Sequence, residues 1–180
     1  MIINSAELIS TIKGYLHNWF HFPHQKLFCQ VATVKSGKPQ LRTMGLYDFT
    51  SQGSLIFLTD TSSPKWRQIA GCANVSVCIL NPSSAQILVE GVARLHTSQS
   101  NLSMATLYWQ HYLDQYWRDF YQKGEARIVK NTIPASFGIV QIIPETWEVL
   151  TMNCEDYLRG SRTSYECQGN LWTINQHSLV

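Results

Sequence analysis

The chain has 180 residues, of which 44% are hydrophobic and 14% are charged, and its formal net charge is +2. This composition excludes a disordered chain, and the absence of any Lys/Arg-rich run argues against nucleic-acid binding. The first residues include no basic segment, and no run of about 18 apolar residues occurs, so we expect neither a signal peptide nor contact with a membrane. The sequence therefore predicts a single cytoplasmic domain over residues 1–180.

The first predicted element is a helix within residues 1–22. Asn4 and Glu7 match a capping box, and apolar residues then recur on one helical stripe until Pro23 ends the element. From Lys26 to His96 the pattern changes to short β-rich runs divided by turn residues, with one short helix that opens at Ser63-Pro64-Lys65. The strands predicted in this part are 27–34, 40–49, 54–59, 75–80 and 86–95.

The second half of the chain begins with the longest helical pattern, over residues 101–122, in a predicted insertion at 100–123. A β pattern returns at 136–176, with predicted strands at 137–143, 147–151, 163–166 and 171–174. About eight strands joined mostly by short turns favour a closed or nearly closed antiparallel barrel, because closure removes exposed edges. The predicted fold is mainly β (α+β), with helices flanking the barrel.

Cysteine and histidine spacing gives no sign of a metal centre. The five cysteines contain no C-x-x-C pair, and the six histidines contain no H-E-x-x-H motif. An odd number of cysteines without zinc-like spacing is typical of reduced thiols. We therefore predict no metal site and no disulfide framework.

The segment from Thr59 to Lys65 is suited to an anion. A strand ends, hydroxyl residues follow, and Pro64 occupies the expected first position of a helix. The N–H groups and positive dipole at a helix start attract a phosphate, and Lys65 adds a full charge. The alternative is an ordinary helix cap with a solvated lysine.

Arg42 lies in an apolar β run, where an inward-pointing guanidinium needs a partner and its fork fits phosphate oxygens. The alternative is an arginine at the barrel rim paired with Asp48 or Glu90. Gly45 either lets a flat ring approach the backbone or marks a bulge. Gln86, at the start of an alternating strand, either hydrogen-bonds a ligand or faces water.

No pattern of catalytic side chains is visible. The sequence contains no G-x-S-x-G motif, and its carboxylates do not pair around a predicted cleft. The catalytic residues therefore stay unassigned, and an enzyme built on this chain would need a cofactor to supply the reactivity.

Taken in order, these motifs resemble the pyridoxamine 5′-phosphate oxidase family. The similarity covers roughly residues 27–96 and the end of the chain, and it excludes 1–25 and 97–135. The matching motifs are Val31-Ala32-Thr33-Val34, Pro39-x-x-Arg42-Thr43-Met44, Phe57-x-Thr59, Ser63-x-Lys65-x-x-Gln68-Ile69, Asn74-Val75-Ser76, Gln86, Val89-Glu90-Gly91-x-Ala93-Arg94-Leu95, Pro144, Glu148, Arg162-x-x-Tyr165 and Gly169-x-x-Trp172.

The resemblance implies a homodimeric split β-barrel that holds flavin mononucleotide (FMN) at the subunit interface. It implies that Arg42 and Lys65 hold the flavin phosphate and that Gln86 reaches the ring system from the partner chain. The residues that it assigns to the cofactor are Arg42, Thr43, Met44, Gly45, Leu46, Tyr47, Leu58, Thr59, Ser63, Lys65, Gln86 and Arg162.

The chain departs from the family pattern at several positions. Tyr47 stands where the oxidase has a substrate-binding lysine, Pro64 replaces an arginine, and Leu150 replaces a tryptophan. Leu158 and Gly160 replace an Arg-x-His pair that grips the substrate. The loss of the three substrate contacts, at Tyr47, Leu158 and Gly160, argues against efficient vitamin B6 phosphate oxidation, since a buried phosphate without cations is costly. The loss of one flavin contact is more tolerable. The aromatic insertion suggests an apolar or aromatic substrate instead.

Three functions follow from these observations. The favoured one is an FMN-dependent oxidoreductase that passes hydride between an unassigned small molecule and the flavin N5. The first alternative is a true but divergent pyridoxamine 5′-phosphate oxidase. The second is a non-enzymatic module that binds haem or flavin, with His96, His111 or His177 as candidate haem ligands.

Overall fold

The computed structural model describes residues 1–83, 85–123, 132–152 and 159–177. The strands are β1 (Ile2–Asn4), β2 (Leu27–Lys35), β3 (Lys38–Phe49), β4 (Leu55–Asp60), β5 (Asn74–Asn81), β6 (Ala85–His96), β7 (Phe137–Thr151), β8 (Ser161–Gln168) and β9 (Leu171–His177). The helices are α1 (Ser5–Phe20), α2 (Pro64–Gly71), α3 (Leu102–His111) and α4 (Gln115–Gln122).

The strands form one antiparallel sheet that closes on itself. Its order is β1-β9-β8-β7-β4-β3-β2-β5-β6, and a further pairing of β7 with β6 closes a ring of six strands. The long strand β7 makes this possible, because its first part pairs with β4, its last part with β8, and both parts with β6. The predicted antiparallel barrel with flanking helices is confirmed.

The barrel interior follows from the alternation of side chains along each strand. In β2, Leu27, Cys29 and Val31 point inward and are buried, whereas Phe28 and Gln30 point outward and are exposed. Burial raises the pKa of the Cys29 thiol to about 12, which keeps it protonated and inert at neutral pH. The predicted capping box at Asn4 is present, and it starts helix α1, which packs its apolar stripe on this core.

A second apolar cluster lies outside the barrel, where α3 and α4 cover β4 and the start of β7. Ile56 and Leu58 of β4 belong to it, whereas Leu55 and Phe57 of the same strand belong to the main core. Strand β4 is therefore buried on both faces, which explains its continuous apolar sequence. No helix in the described ranges is long and apolar enough to cross a membrane.

Three elements differ from the sequence prediction. The single helix expected at 101–122 is two helices, because the Asp114 carboxylate accepts a hydrogen bond from the Trp117 N–H and starts α4 as a new helix. The strands expected at 137–143 and 147–151 are one strand, since β7 continues through Pro144. The short strand β1, which pairs with β9, was not predicted because three residues carry too little pattern.

Gly91 permits the close contact of β6 with β7 at a β-bulge, so we predict that Gly91→Ala destabilises the fold. A Cβ at this position would lie 2.1 Å from the Ile143 carbonyl oxygen, and the pairing register shifts between Glu90 and Gly91. We expect the free energy of unfolding in urea to fall by about 1–3 kcal/mol or more. The control is Gly14→Ala in α1, where a Cβ meets nothing within 4 Å. This substitution should raise the free energy of unfolding by roughly 0.5–1 kcal/mol. Equal unfolding midpoints for the two variants would contradict this role.

Candidate functional site

The loop from β4 into α2 forms the helix start that the sequence predicts. Ser63 is the N-cap: its Oγ accepts a hydrogen bond from the Trp66 N–H at 3.4 Å and lies 3.4 Å from the Thr59 Oγ1. Pro64 is the first helical residue, and its fixed φ suits that position. Lys65 therefore lies in the first turn of α2, where N–H groups of the helix have no partner within the helix.

Arg42 points into the end of the barrel next to α2, and its partners are all neutral. Its Nη1 donates to the Thr33 Oγ1 at 2.6 Å and to the Val31 carbonyl at 3.3 Å, while its Nη2 donates to the Gln68 Oε1 at 2.7 Å. Thr33 also donates to the Gln68 Oε1 at 2.6 Å. These bonds orient the guanidinium without neutralising its charge.

The two cations lie close enough to affect each other. Burial lowers the pKa of Lys65, the positive charge of Arg42 lowers it further, and Asp60 acts in the opposite direction. Burial also lowers the pKa of Arg42. Within the described part of the chain, neither side chain forms an ion pair. Two partly buried cations next to a helix start favour the binding of an anion.

The rim pairing considered for Arg42 is absent. Asp48 accepts a hydrogen bond from the Tyr108 hydroxyl at 2.9 Å, which ties β3 to α3. Glu90 is exposed on β6. The polar partners of Arg42 are Thr33 and Gln68, so the choice between a rim ion pair and an inward arginine is resolved in favour of the inward arginine.

A cavity of about 540 Å³ lies between α2 and the hairpin that joins β2 to β3. Gln68 lines this cavity and also binds Arg42. Lys35 from the hairpin and Arg67 from α2 add cationic side chains to the lining of this cavity. The remaining lining residues are Val34, Ser36, Gly37, Pro64, Gly71 and Cys72.

The predicted cofactor residues of β3 divide between its two faces. Met44 and Leu46 point inward and belong to the main core, so their side chains serve packing. Thr43, Gly45 and Tyr47 alternate with them on the outer face. A Cβ on Gly45 would meet side-chain atoms of Lys26, Phe28 and Tyr47 at 3.5–3.9 Å, an ordinary van der Waals distance, so the gap beside this backbone is about the size of a methyl group.

The other predicted cofactor residues lie on β4, β6 and β8 and at the start of α2. The Leu58 side chain is buried in the second cluster, whereas Thr59 is buried beside Ser63. Gln86 pairs with Leu150, and Leu150 pairs with Arg162, so these three form one row across β6, β7 and β8. The Arg162 Nη2 lies 2.6 Å from the Glu148 Oε2, and the ion pair raises the pKa of Arg162.

A single chain does not bring Gln86 to the gap at Gly45. Their strands are separated by β2 and β5 in the sheet order, which corresponds to roughly 14 Å at the usual strand spacing. Among the positions that depart from the family pattern, Leu158 lies outside the described residues and Gly160 directly precedes β8.

Sequence reasoning did not include Thr33 or Gln68 among the site residues. Both carry a readable signal: Thr33 occupies an inward position in the alternation of β2, and Gln68 follows Lys65 by one helical turn. A buried hydroxyl at 1% exposure needs partners, and Arg42 and Gln68 supply them.

The candidate haem ligands have separate surroundings. His96 Nε2 lies 3.0 Å from the Gln141 Oε1, and His177 Nε2 lies 2.9 Å from the Ser164 Oγ. His111 lies in the last turn of α3 and is exposed. The described residues contain no group of three His, Cys, Asp or Glu side chains that could hold a metal ion.

The fold defines a class of proteins, the closed antiparallel barrels with flanking helices, and in this chain a helix start suited to an anion lies next to the barrel. Comparison with known proteins makes the class specific, because the family model for pyridoxamine 5′-phosphate oxidase matches residues 17–150. The chain belongs to the pyridoxamine 5′-phosphate oxidase family. No curated protein matches it.

Several solved structures share the fold. A pyridoxamine 5′-phosphate oxidase-related, FMN-binding protein from Nostoc punctiforme has 22% identity and a TM-score of 0.75, covering 94% of this chain and 95% of its own. PhzG from Burkholderia lata, in complex with tetrahydrophenazine-1-carboxylic acid, has 18% identity and a TM-score of 0.72, covering 96% and 93%. General Stress Protein 26 from Bacillus anthracis has 20% identity and a TM-score of 0.55, covering 79% and 93%. At these identities the likeness shows the fold alone.

We predict that Thr33→Val lowers stability because it removes a partner of both Arg42 and Gln68 while keeping the side-chain shape. The free energy of unfolding in urea should fall by about 1–3 kcal/mol, as for buried polar groups left unsatisfied. Thr43→Val is the matched control, since the Thr43 hydroxyl meets only the exposed Gln30 amide, at 3.0 Å, and should change stability by about 0.5 kcal/mol or less. A loss of the same size in both variants would show that the hydrogen bonds of Thr33 contribute no more to stability than those of the exposed Thr43.

Proposed function

We propose that the protein binds FMN as a homodimer and acts as an oxidoreductase on a small molecule. The observation that carries the proposal is that Arg42 binds Gln68, one helical turn after Lys65 on α2, and that neither cation has an ion pair in the described residues. A phosphate dianion between them would offset the mutual repulsion that lowers the pKa of Lys65. Ser63 and the N–H groups of the helix start would complete the phosphate site.

The outer face of β3 supports the proposed position of the flavin ring. Gly45 carries no Cβ, so a flat ring over this gap would approach the backbone closely; the side chains that border the gap, at 3.5–3.9 Å, are those of Lys26, Phe28 and Tyr47. Thr43 and Tyr47 flank this gap on the same face. When bound, FMN would supply hydride transfer at its N5, while Arg42 and Lys65 would hold and orient it.

Two features support assembly as a dimer. The outer face of β3, β2 and β5 exposes three large apolar side chains, Leu41 at 68%, Phe28 at 58% and Leu80 at 51%, which a partner chain would cover. Gln86 and Arg162 are far from Gly45 within one chain, so they could join the flavin site only as contributions from a partner. The cytoplasmic location expected from the sequence stays a prediction.

Vitamin B6 phosphate oxidation is the less favoured activity. Burial and the nearby Asp114 raise the pKa of Tyr47, so this residue is a neutral phenol where the family resemblance expects a lysine. A neutral phenol cannot replace a cation against a substrate phosphate. The substrate of this chain should therefore differ from that of the oxidase.

The first test of the proposal is Lys65→Ala. If Lys65 binds the flavin phosphate, the variant should bind FMN more weakly by about 1–3 kcal/mol, as expected for a charge-assisted hydrogen bond. Quenching of FMN fluorescence on titration measures the affinity. Lys38→Ala, at the exposed start of β3, is the control and should keep the wild-type affinity. An unchanged affinity in Lys65→Ala would remove the phosphate assignment.

The second test addresses the dimer through Leu41→Glu. A charge on the exposed apolar face should separate the chains, and the monomer should lose FMN because half of its site comes from the partner. Sedimentation velocity and the flavin absorbance of the same sample give both readings. Leu102→Glu, at 64% exposure on α3, is a matched control that should leave the dimer intact. A monomeric wild-type protein that binds FMN would contradict the shared site.

A further inference from the structure

A lysine lies between two aromatic rings beside Gly45. The Lys26 Nζ is 5.4 Å from the centroid of the Phe28 ring and 5.3 Å from that of Trp117, within the range of cation–π contacts. Its Cε and the Tyr47 ring lie 3.5 and 3.9 Å from the place of a Cβ on Gly45. We name Lys26, Phe28, Gly45, Tyr47 and Trp117 the Lys26 patch.

The ammonium of Lys26 is available to a ligand. In the parts of the chain that the structure describes, it forms no ion pair, and its contacts are the faces of Phe28 and Trp117. Aromatic faces stabilise a cation but accept no strong hydrogen bond, so the three N–H donors of Lys26 stay free for an anion. The side chain is exposed, which gives a ligand direct access.

The patch is held from two sides of the molecule. Lys26 directly precedes β2 and Phe28 is its second residue, whereas Trp117 belongs to α4, where Asp114 caps the helix by accepting from the Trp117 N–H at 3.0 Å. Trp117 also packs against the second apolar cluster and makes an edge contact with Phe120, at 5.7 Å between ring centroids. These contacts fix the ring, so the patch presents flat apolar surfaces around one cation.

We propose that the Lys26 patch binds the substrate, an aromatic monoanion of the arylcarboxylate class, with Lys26 on its carboxylate. The proposal rests on the proposed function, since the gap at Gly45 is also where the flavin ring would approach. Phe28 is 58% exposed, so the part of its ring that Lys26 leaves open favours a planar apolar body beside the ammonium. A monoanion fits better than a dianion because the patch contains one cation, Tyr47 beside it is a neutral phenol, and the Asp114 carboxylate lies near Tyr47.

The test is titration of 1-naphthoate into the FMN-loaded protein, followed by calorimetry, for the wild type and for Lys26→Gln. The variant should bind 1-naphthoate roughly tenfold more weakly or worse, as for loss of a charge-assisted hydrogen bond. Its affinity for the neutral 1-naphthalenemethanol and for FMN should match the wild type. Lys13→Gln, on the exposed side of α1, is the control for loss of a positive charge elsewhere.

The outcomes separate this inference from the flavin assignment. Equal 1-naphthoate affinity in the wild type and Lys26→Gln, or no binding to either, overturns the role of Lys26 whether or not FMN binds. A tenfold preference for 1-naphthyl phosphate over 1-naphthoate overturns the monoanion class. If the protein takes up no FMN, the titration is run on the protein as purified; Lys26-dependent binding there supports the patch as an anion site while the flavin assignment fails.

Discussion

The guanidinium of Arg42 is held by groups that orient it without neutralising it. Thr33, Gln68 and the Val31 carbonyl accept its hydrogen bonds, and all three are uncharged. Because the partners come from β2 and α2, the same contacts also fix the helix start that carries Lys65. Two cations therefore lie near each other at the end of the barrel, an arrangement that is costly without a nearby anion.

Closure of the barrel by β7 decides which groups can meet. Arg42 of β3 reaches Gln68 of α2, the helix that also carries Lys65, whereas the ring of six strands leaves Gln86 and Arg162 across the sheet from Gly45. A flavin that contacted both Gly45 and the pair Gln86 and Arg162 would have to lie between two chains. The exposed apolar side chains Leu41, Phe28 and Leu80 are available for such a contact. The proposed flavin position, dimer contact and substrate patch therefore all involve residues on the outer face of β3.

The sequence predicts the barrel well because its strands alternate clearly and its turns are short. The inward alternation of β2, the capping box at Asn4 and the proline at the start of α2 are each local signals, and each is present in the structure. The break between α3 and α4 is less readable, since Asp114 caps a helix inside an otherwise continuous helical pattern. Partners that are distant in sequence, such as Thr33 for Arg42 or Trp117 for Lys26, become visible only in three dimensions.

The central claim is that Arg42 and Lys65 bind one phosphate group, and a comparison of FMN with riboflavin tests it most directly. The two ligands share the flavin ring and differ in the phosphate, so their difference in affinity isolates the contribution of the two cations. By fluorescence titration of the wild-type protein, we expect FMN to bind at least tenfold more tightly than riboflavin. Equal affinity for the two flavins, or binding of neither, would contradict the account.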